Sequence, residues 1–248
     1  MAGWFEKLFR EHGVFKVPGN ARDLPACRIR PYREDDREAC TRIYQLNEGG
    51  NFRGGLDAFL NTLEHGHSLY LVCEEAGEVR AMGSMNIRNI YGEEFVDFFY
   101  GMVHPDHQRR GFGTAMVLAR LSVLPPPRDE WRIRMHSVAD PFHRKFGFHP
   151  VEVVRDDEQN RIVTLLLYVS AMETKRSRAL LQAAGIPVEC DGCGIPVHTY
   201  TVAGGEPAPD DPRPEADSTI VPTRKAAITL VLWTAAAAGV VFWCYKFG

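Results

Sequence analysis

The sequence predicts a mixed α/β domain followed by a C-terminal membrane-spanning helix. Three observations predict it. Across residues 27–170, strand-like alternation exchanges repeatedly with helical periodicity. In the middle of that stretch, a strand runs through a turn with two glycines into a helix. Near the end of the chain, twenty residues pass without a charge.

Residues 1–26 open with Met1–His12, which sets Trp4, Phe5, Leu8 and Phe9 on one helical face and Lys7 and Arg10 elsewhere. Such an amphipathic segment suits a membrane interface or the cap of a core. Cys27–Arg30 reads as a short strand. Glu34–Asn47 carries Ala39, Ile43 and Leu46 at helical spacing behind an acidic first turn. Gly55–Glu64 is a second, shorter helix. Ser68–Glu75 and Glu78–Arg88 are strands joined tightly through Ala76-Gly77. Glu94–Val103 is an aromatic-rich strand. Gly111–Leu124 is a helix whose apolar side holds Phe112, Met116, Leu118, Ala119 and Val123; Pro125-Pro126-Pro127 stops it. Trp131–His136 alternates as a strand, and Asp140–Phe146 is a short helix. Val151–Val154 and Ile162–Tyr168 are two closing strands.

Residues 171–202 read as a helical extension that ends in a C-x-x-C pair, Cys190 and Cys193. The pair resembles one knuckle of a zinc ribbon, but a closed site needs four ligands and no second pair exists. His198, Cys27, Cys40 and Cys73 are the remaining candidates. Zinc, a dithiol and an unliganded turn all stay open, and no metal site is assigned. Six cysteines without a secretory signal fit reduced thiols. Residues 203–225 are rich in Pro and acidic groups, and they predict a disordered tether. Residues 226–245 (AAITLVLWTAAAAGVVFWCY) are long enough to span a bilayer, with Arg224-Lys225 before them and Trp243 and Tyr245 near their end. This predicts a single-pass, tail-anchored membrane protein whose folded domain faces the cytoplasm. A net charge of −3 argues against a nucleic-acid partner.

The central turn reads VHPDHQRRGFGT from Val103 to Thr114. Its glycines and the helix that follows point backbone N–H groups at one spot, where the helix dipole adds positive charge. It is a candidate pyrophosphate cradle. No Lys follows Gly113 as in a P-loop, and Met116 stands where a dinucleotide fingerprint needs its third glycine. Asp97 lies in the strand that leads to the cradle, among Phe95, Val96, Phe98, Phe99 and Tyr100. A carboxylate in apolar company has its pKa raised, which suits a base. The alternative is a structural carboxylate paired with an arginine such as Arg132 or Arg134.

Gln108, Gly111 and Gly113 fill the pattern [QR]-x-x-G-x-[GA], and the chain thereby resembles the GNAT superfamily of N-acetyltransferases. A second signature of that family, N-x-x-A-x-x-L-Y-E-K-L-G-F, is met downstream by Ala139, Phe142, Gly147 and Phe148. His136 stands in place of its Asn, and His143 in place of its Tyr. The resemblance covers roughly residues 28–170. It implies the GNAT fold, an α/β (α+β) architecture with a mixed central sheet flanked by helices in the order β-α-α-β-β-β-α-β-α-β-β. It implies acetyl-coenzyme A as co-substrate, with the pyrophosphate on the backbone of Gln108, Arg109, Arg110, Gly111, Phe112, Gly113 and Thr114. Arg109 and Arg110 would add charge, and Met102 and Val103 would pair with the pantetheine arm. It further implies direct attack by a primary amine, with Asp97 as base and His143 as the acid toward the coenzyme A sulfur. The acceptor, a small molecule or a protein, carries no readable code. A non-catalytic coenzyme A-binding membrane adapter is the alternative.

Overall fold

The structure, a computed structural model, describes residues 15–47, 55–90, 93–127, 130–155, 161–190 and 193–200. The segment Met1–His12, the tether and the uncharged run 226–245 lie outside the described residues. Among the described residues no helix is long and apolar enough to cross a membrane.

The elements follow the expected order. Strand β1 (Arg28–Pro31) leads to helices α1 (Arg37–Asn47) and α2 (Gly55–Glu64). Strands β2 (Leu69–Glu75), β3 (Glu78–Ile90) and β4 (Glu93–Val103) form a meander, and α3 (Phe112–Ser122) returns the chain. Then come β5 (Glu130–Ser137), α4 (Asp140–Arg144), β6 (His149–Arg155) and β7 (Arg161–Ser170). Helix α5 (Ala171–Ala183) and a short strand β8 (Val197–Tyr200) complete the described chain. The sheet runs β1-β2-β3-β4-β5-β7-β6, and β8 pairs with β3. Its pairs are antiparallel except β4–β5 and β3–β8.

The β2–β3 hairpin turns through Ala76 and Gly77 with φ of 53° and 83°. Both central residues are left-handed, as a two-residue hairpin that matches the strand twist requires.

Strand β4 carries an irregularity that organises the site. The β3–β4 register shifts between Met82 and Ser84, opposite Tyr100, whose φ is 43°. An extra residue flips the faces of a strand beyond it. Before the shift, Val96 and Phe98 pack into the core that contains α3. After it, Met102 joins the second core, with Tyr44 of α1 and Phe59 of α2.

The sequence predicts α3 to be apolar on one side only. Instead every α3 residue except Gly113 is buried, including Thr114, Arg120 and Ser122. The covering layers come from distant chain. Leu181 of α5 and Phe15, Ala21 and Leu24 join the same core, and Arg178 donates to the Ser122 carbonyl at 2.7 Å. Beyond α5 the chain lies along β1, with Ile29 N–H donating to Pro187 and Glu189 N–H donating to Ile29.

One expectation is corrected. Cys190 and Cys193 are joined by a disulfide rather than kept as reduced thiols, while Cys27, Cys40 and Cys73 are free. Among the described residues no group of three or more His, Cys, Asp or Glu is arranged to hold a metal.

Candidate acyl-coenzyme A site

A wedge opens between β4 and β5. The two strands pair in parallel from Phe95–Arg132 to Phe98–Met135 and no further. Strand β5 continues to Ser137 because β7 holds it, with His136 opposite Thr164 and Ser137 opposite Val163. Strand β4 continues to Val103 on the β3 side. The main chain of β4 from Phe99 to Val103 therefore has no strand partner toward β5. An open strand edge binds an extended ligand by main-chain hydrogen bonds. Met102 and Val103, the expected pantetheine contacts, lie on this edge. The Val103 carbonyl is already approached by Asn47 Nδ2 at 3.2 Å and Gln108 Nε2 at 3.5 Å.

The cradle follows directly. Pro105–His107 makes a short 3-10 turn, and His104 Nδ1 accepts from the Asp106 N–H at 3.3 Å. Arg109 and Gly111 are both left-handed, with φ of 62° and 94°. A left-handed conformation at a non-glycine residue stores strain and is retained where the turn requires it. Alternation of this kind makes successive N–H groups converge into an anion nest. None of the N–H groups from Arg109 to Gly113 donates to a backbone carbonyl of the described residues. The N-terminus of α3 at Phe112 adds its partial positive charge at the same place. The cradle therefore fits a diphosphate.

The two arginines of the cradle differ. Arg110 is committed: it meets Glu75 Oε1 at 2.8 Å and His107 Nδ1 at 2.6 Å, and it covers the Phe112 ring. Arg109 is exposed and makes no ion pair with the described residues, so it alone of the two brings unmatched charge. The glycines also have packing reasons that sequence reading missed. A Cβ at Gly111 would stand 3.0 Å from Pro25 Cδ and 3.2 Å from the Asp23 carbonyl oxygen; one at Gly113 would stand 3.2 Å from Phe142 Cζ.

Asp97 points away from α3, on the face that bears Phe95 and Phe99. Its carboxylate takes Arg134 Nε at 2.7 Å and Nη2 at 2.9 Å, and Arg88 Nε lies 2.7 Å from Oδ2. The apolar company expected around Asp97 is thus two guanidinium groups. Both carboxylate oxygens are therefore already engaged by guanidinium groups. Arg132, the other arginine considered, pairs with Glu93 at 2.8 Å instead.

His143 also differs in character from the expectation. It sits beside the rings of Phe142 and Phe148. Burial, and secondarily the charge of Arg120, push its pKa down to about 3, against a smaller upward pull from Asp140. At neutral pH the ring is neutral and has no imidazolium proton to give. Asp97 and His143 are not brought together. His143 lies by α3, and Asp97 turns away from it.

The structure does bring another residue to the wedge. His136 is the first β5 residue past the last β4–β5 pair, exposed and on the Asp97–Arg134 face. Its Nδ1 is 3.0 Å from Thr164 Oγ1, which in turn donates to Glu152 at 3.5 Å. Partial burial, followed by the nearby Arg134, lowers its pKa below 6.5 and keeps it neutral. The signal in the sequence was the departure of His136 from the family's Asn.

Residues 31–148 match the family model described as the Acetyltransferase (GNAT) family. Solved structures with a similar chain path include the ribosomal-protein-S18-alanine N-acetyltransferase from Escherichia coli, at 17% identity and TM-score 0.44, covering 58% of this chain and 94% of that one. Another is yncA from Salmonella typhimurium with its cofactor acetyl-CoA, at 18% identity and TM-score 0.43, covering 58% and 94%. A third is a GNAT-family acetyltransferase from Bacillus cereus, at 14% identity and TM-score 0.43, covering 59% and 98%. No curated protein matches the chain.

The segment is a GNAT acetyltransferase domain. The protein is accordingly an acetyl-coenzyme A-dependent acyltransferase, with acetyl-coenzyme A as co-substrate.

Proposed function

We propose that the chain is a membrane-tethered N-acetyltransferase that passes acetyl directly to a primary amine. The observation that carries this reading is the juxtaposition of an open β4 edge, a cradle whose N–H groups from Arg109 to Gly113 meet no backbone carbonyl of the described residues, and a neutral histidine at the mouth of the wedge. Acetyl-coenzyme A supplies the activated thioester. The Gln108 N–H already donates to the Pro105 carbonyl at 3.2 Å, so the N–H groups from Arg109 to Gly113 take the diphosphate, Arg109 adds charge there, and the edge at Met102 and Val103 aligns the pantetheine arm.

The acceptor amine must be neutral to attack, although a lysine amine titrates near ~10.4. His136 is our assignment for its proton. With Nδ1–H donating to Thr164 Oγ1, Nε2 keeps its lone pair for the amine. Asp97 then serves as the anchor that holds Arg134 and Arg88 flat on this face, rather than as the base.

An acceptor panel of peptide N-termini, lysine peptides, polyamines and an aminolipid, read by coenzyme A thiol release, tests the reaction. With a competent acceptor, kcat/KM is expected to rise with pH through the His136 titration, which lies below 6.5. His136→Ala is expected to remove that limb and to lower kcat by roughly 10²-fold or more while leaving donor affinity unchanged. An unaltered pH profile in the variant would show that another group takes the proton.

The tether rests on the uncharged run 226–245 and its flanking Arg224-Lys225. The full chain is expected to float with phosphatidylcholine vesicles, and a chain ending at residue 225 to remain in the aqueous phase. Equal distribution of the two would contradict the tether.

A further inference from the structure

Arg120, in the middle of α3, is only 2% exposed. No carboxylate of the described residues lies within ion-pair distance of it. Its hydrogen bonds are both long, Nε to the Met116 carbonyl and Nη1 to the Ser84 carbonyl, each at 3.5 Å. Its guanidinium lies 4.2 Å from the centre of the Phe98 ring. Burial alone lowers its pKa to about 9, so it is still a cation at neutral pH.

The other deeply buried charges are treated differently. Arg30 meets Asp36 at 2.6 Å and Glu74 at 2.9 Å. Asp97 meets Arg134 and Arg88, and Asp140 meets Arg144 and Arg161. A buried cation without a counter-charge carries a large desolvation cost, and an apolar side chain of similar volume removes it. Met116 and Phe98 would accept such a side chain at position 120.

The surroundings are nevertheless shaped for the guanidinium. A Cβ on Gly83 would come within 3.2 Å of Arg120 Cζ, and one on Gly101 within 3.1 Å of Nη2. Gly101 follows Tyr100 at the β4 irregularity and is exposed, although it lies within a strand. Nη2 thus abuts the part of β4 that β5 leaves uncovered. His143, on α4, feels the charge of Arg120. The lone cation therefore lies against the uncovered stretch of β4 at Gly101.

We infer that Arg120 is the receptor for an oxygen of the donor's acyl group. This rests on the reading that the wedge holds an acyl-coenzyme A. The oxygen has two sources, the thioester carbonyl or a carboxylate carried on a longer acyl chain. In both cases a partial or full negative charge meets a guanidinium in a desolvated site, where such a contact is strongest. The acyl carbon becomes more electrophilic in the first case, and donors are selected in the second.

The test uses the full chain, Arg120→Met and Arg120→Lys. Each is titrated calorimetrically with coenzyme A, acetyl-coenzyme A and succinyl-coenzyme A, and its thermal unfolding is recorded. The carbonyl stretch of bound, isotope-labelled acetyl-coenzyme A is read by infrared difference spectroscopy. Arg120→Met is expected to be at least as stable as wild type and to bind coenzyme A equally well. If the oxygen is a carboxylate, wild type prefers the succinyl donor by roughly ten-fold, about 1.4 kcal/mol, and the Met variant loses the preference. If it is the carbonyl, the two donors bind alike and the bound stretch lies lower in wild type than in the Met variant, with Lys between them.

Identical affinities and identical carbonyl stretch in wild type and Arg120→Met would overturn the inference. So would a Met variant that unfolds or melts well below wild type, because Arg120 would then serve the fold. Failure of wild type to bind any of the three ligands would instead remove the underlying acyl-coenzyme A reading.

Discussion

Replacing Asp97 with asparagine is expected to destabilise the domain by about 3 kcal/mol, the low end for breaking a buried ion pair. The side chain of Asp97 is only 4% exposed, and its loss of charge leaves Arg88 and Arg134 facing each other. The low end applies because those partners are themselves 15% and 27% exposed, so solvent screens part of the effect. In a chain of this size the change corresponds to a fall in Tm of roughly 10 °C. Thermal unfolding of Asp97→Asn measures it. A variant that melts with wild type yet has lost turnover would return the base to Asp97 and withdraw it from His136.

Gly111→Asp is expected to reduce acetyl-coenzyme A affinity by roughly 100-fold or more, about 2.7 kcal/mol. Two effects act together. The backbone at φ 94° disfavours any side chain, and a Cβ there meets Pro25 Cδ at 3.0 Å. The carboxylate also brings negative charge to a cradle whose converging N–H groups would otherwise face the diphosphate. Gly111→Ala separates the two, because it carries the strain without the charge and is expected to retain more of the affinity. Calorimetric titration of both variants is the check. Wild-type affinity in Gly111→Asp would mean that the diphosphate does not lie on these N–H groups.

Much of the fold was legible because its signals are local. Strand alternation, the Ala76-Gly77 turn and the proline stop after α3 fix elements within a few residues of where they occur. The cradle was legible for the same reason, since Arg109 to Gly113 determine their own turn. What escaped the sequence depends on chain that is far away. Asp97 lies directly opposite Arg134 only through the parallel β4–β5 register, and Arg132, two residues earlier, was an equal option until that register was known. Arg120 carries a charge, so periodicity alone would turn it to solvent. It is buried because it packs on the sheet, against the Phe98 ring and the Gly83 and Gly101 backbone of β3 and β4. The β8 strand is short and its Val197 is exposed, so it shows little alternation to read. The departures His136 and His143 were visible, but the surroundings of each were not. The residue expected to donate a proton is neutral and lies by the core, and the one that replaces an asparagine faces the wedge.

Amide hydrogen exchange of the wild-type chain, with and without acetyl-coenzyme A, tests the central claim most directly. An N–H that pairs with a ligand exchanges more slowly, and those from Arg109 to Gly113 donate to no backbone carbonyl of the described residues. Slowed exchange at residues 109–113 and along 99–103, with the β1–β2 edge unchanged, is the predicted result. Acetyl-coenzyme A binding that leaves both stretches exchanging as before would contradict the account.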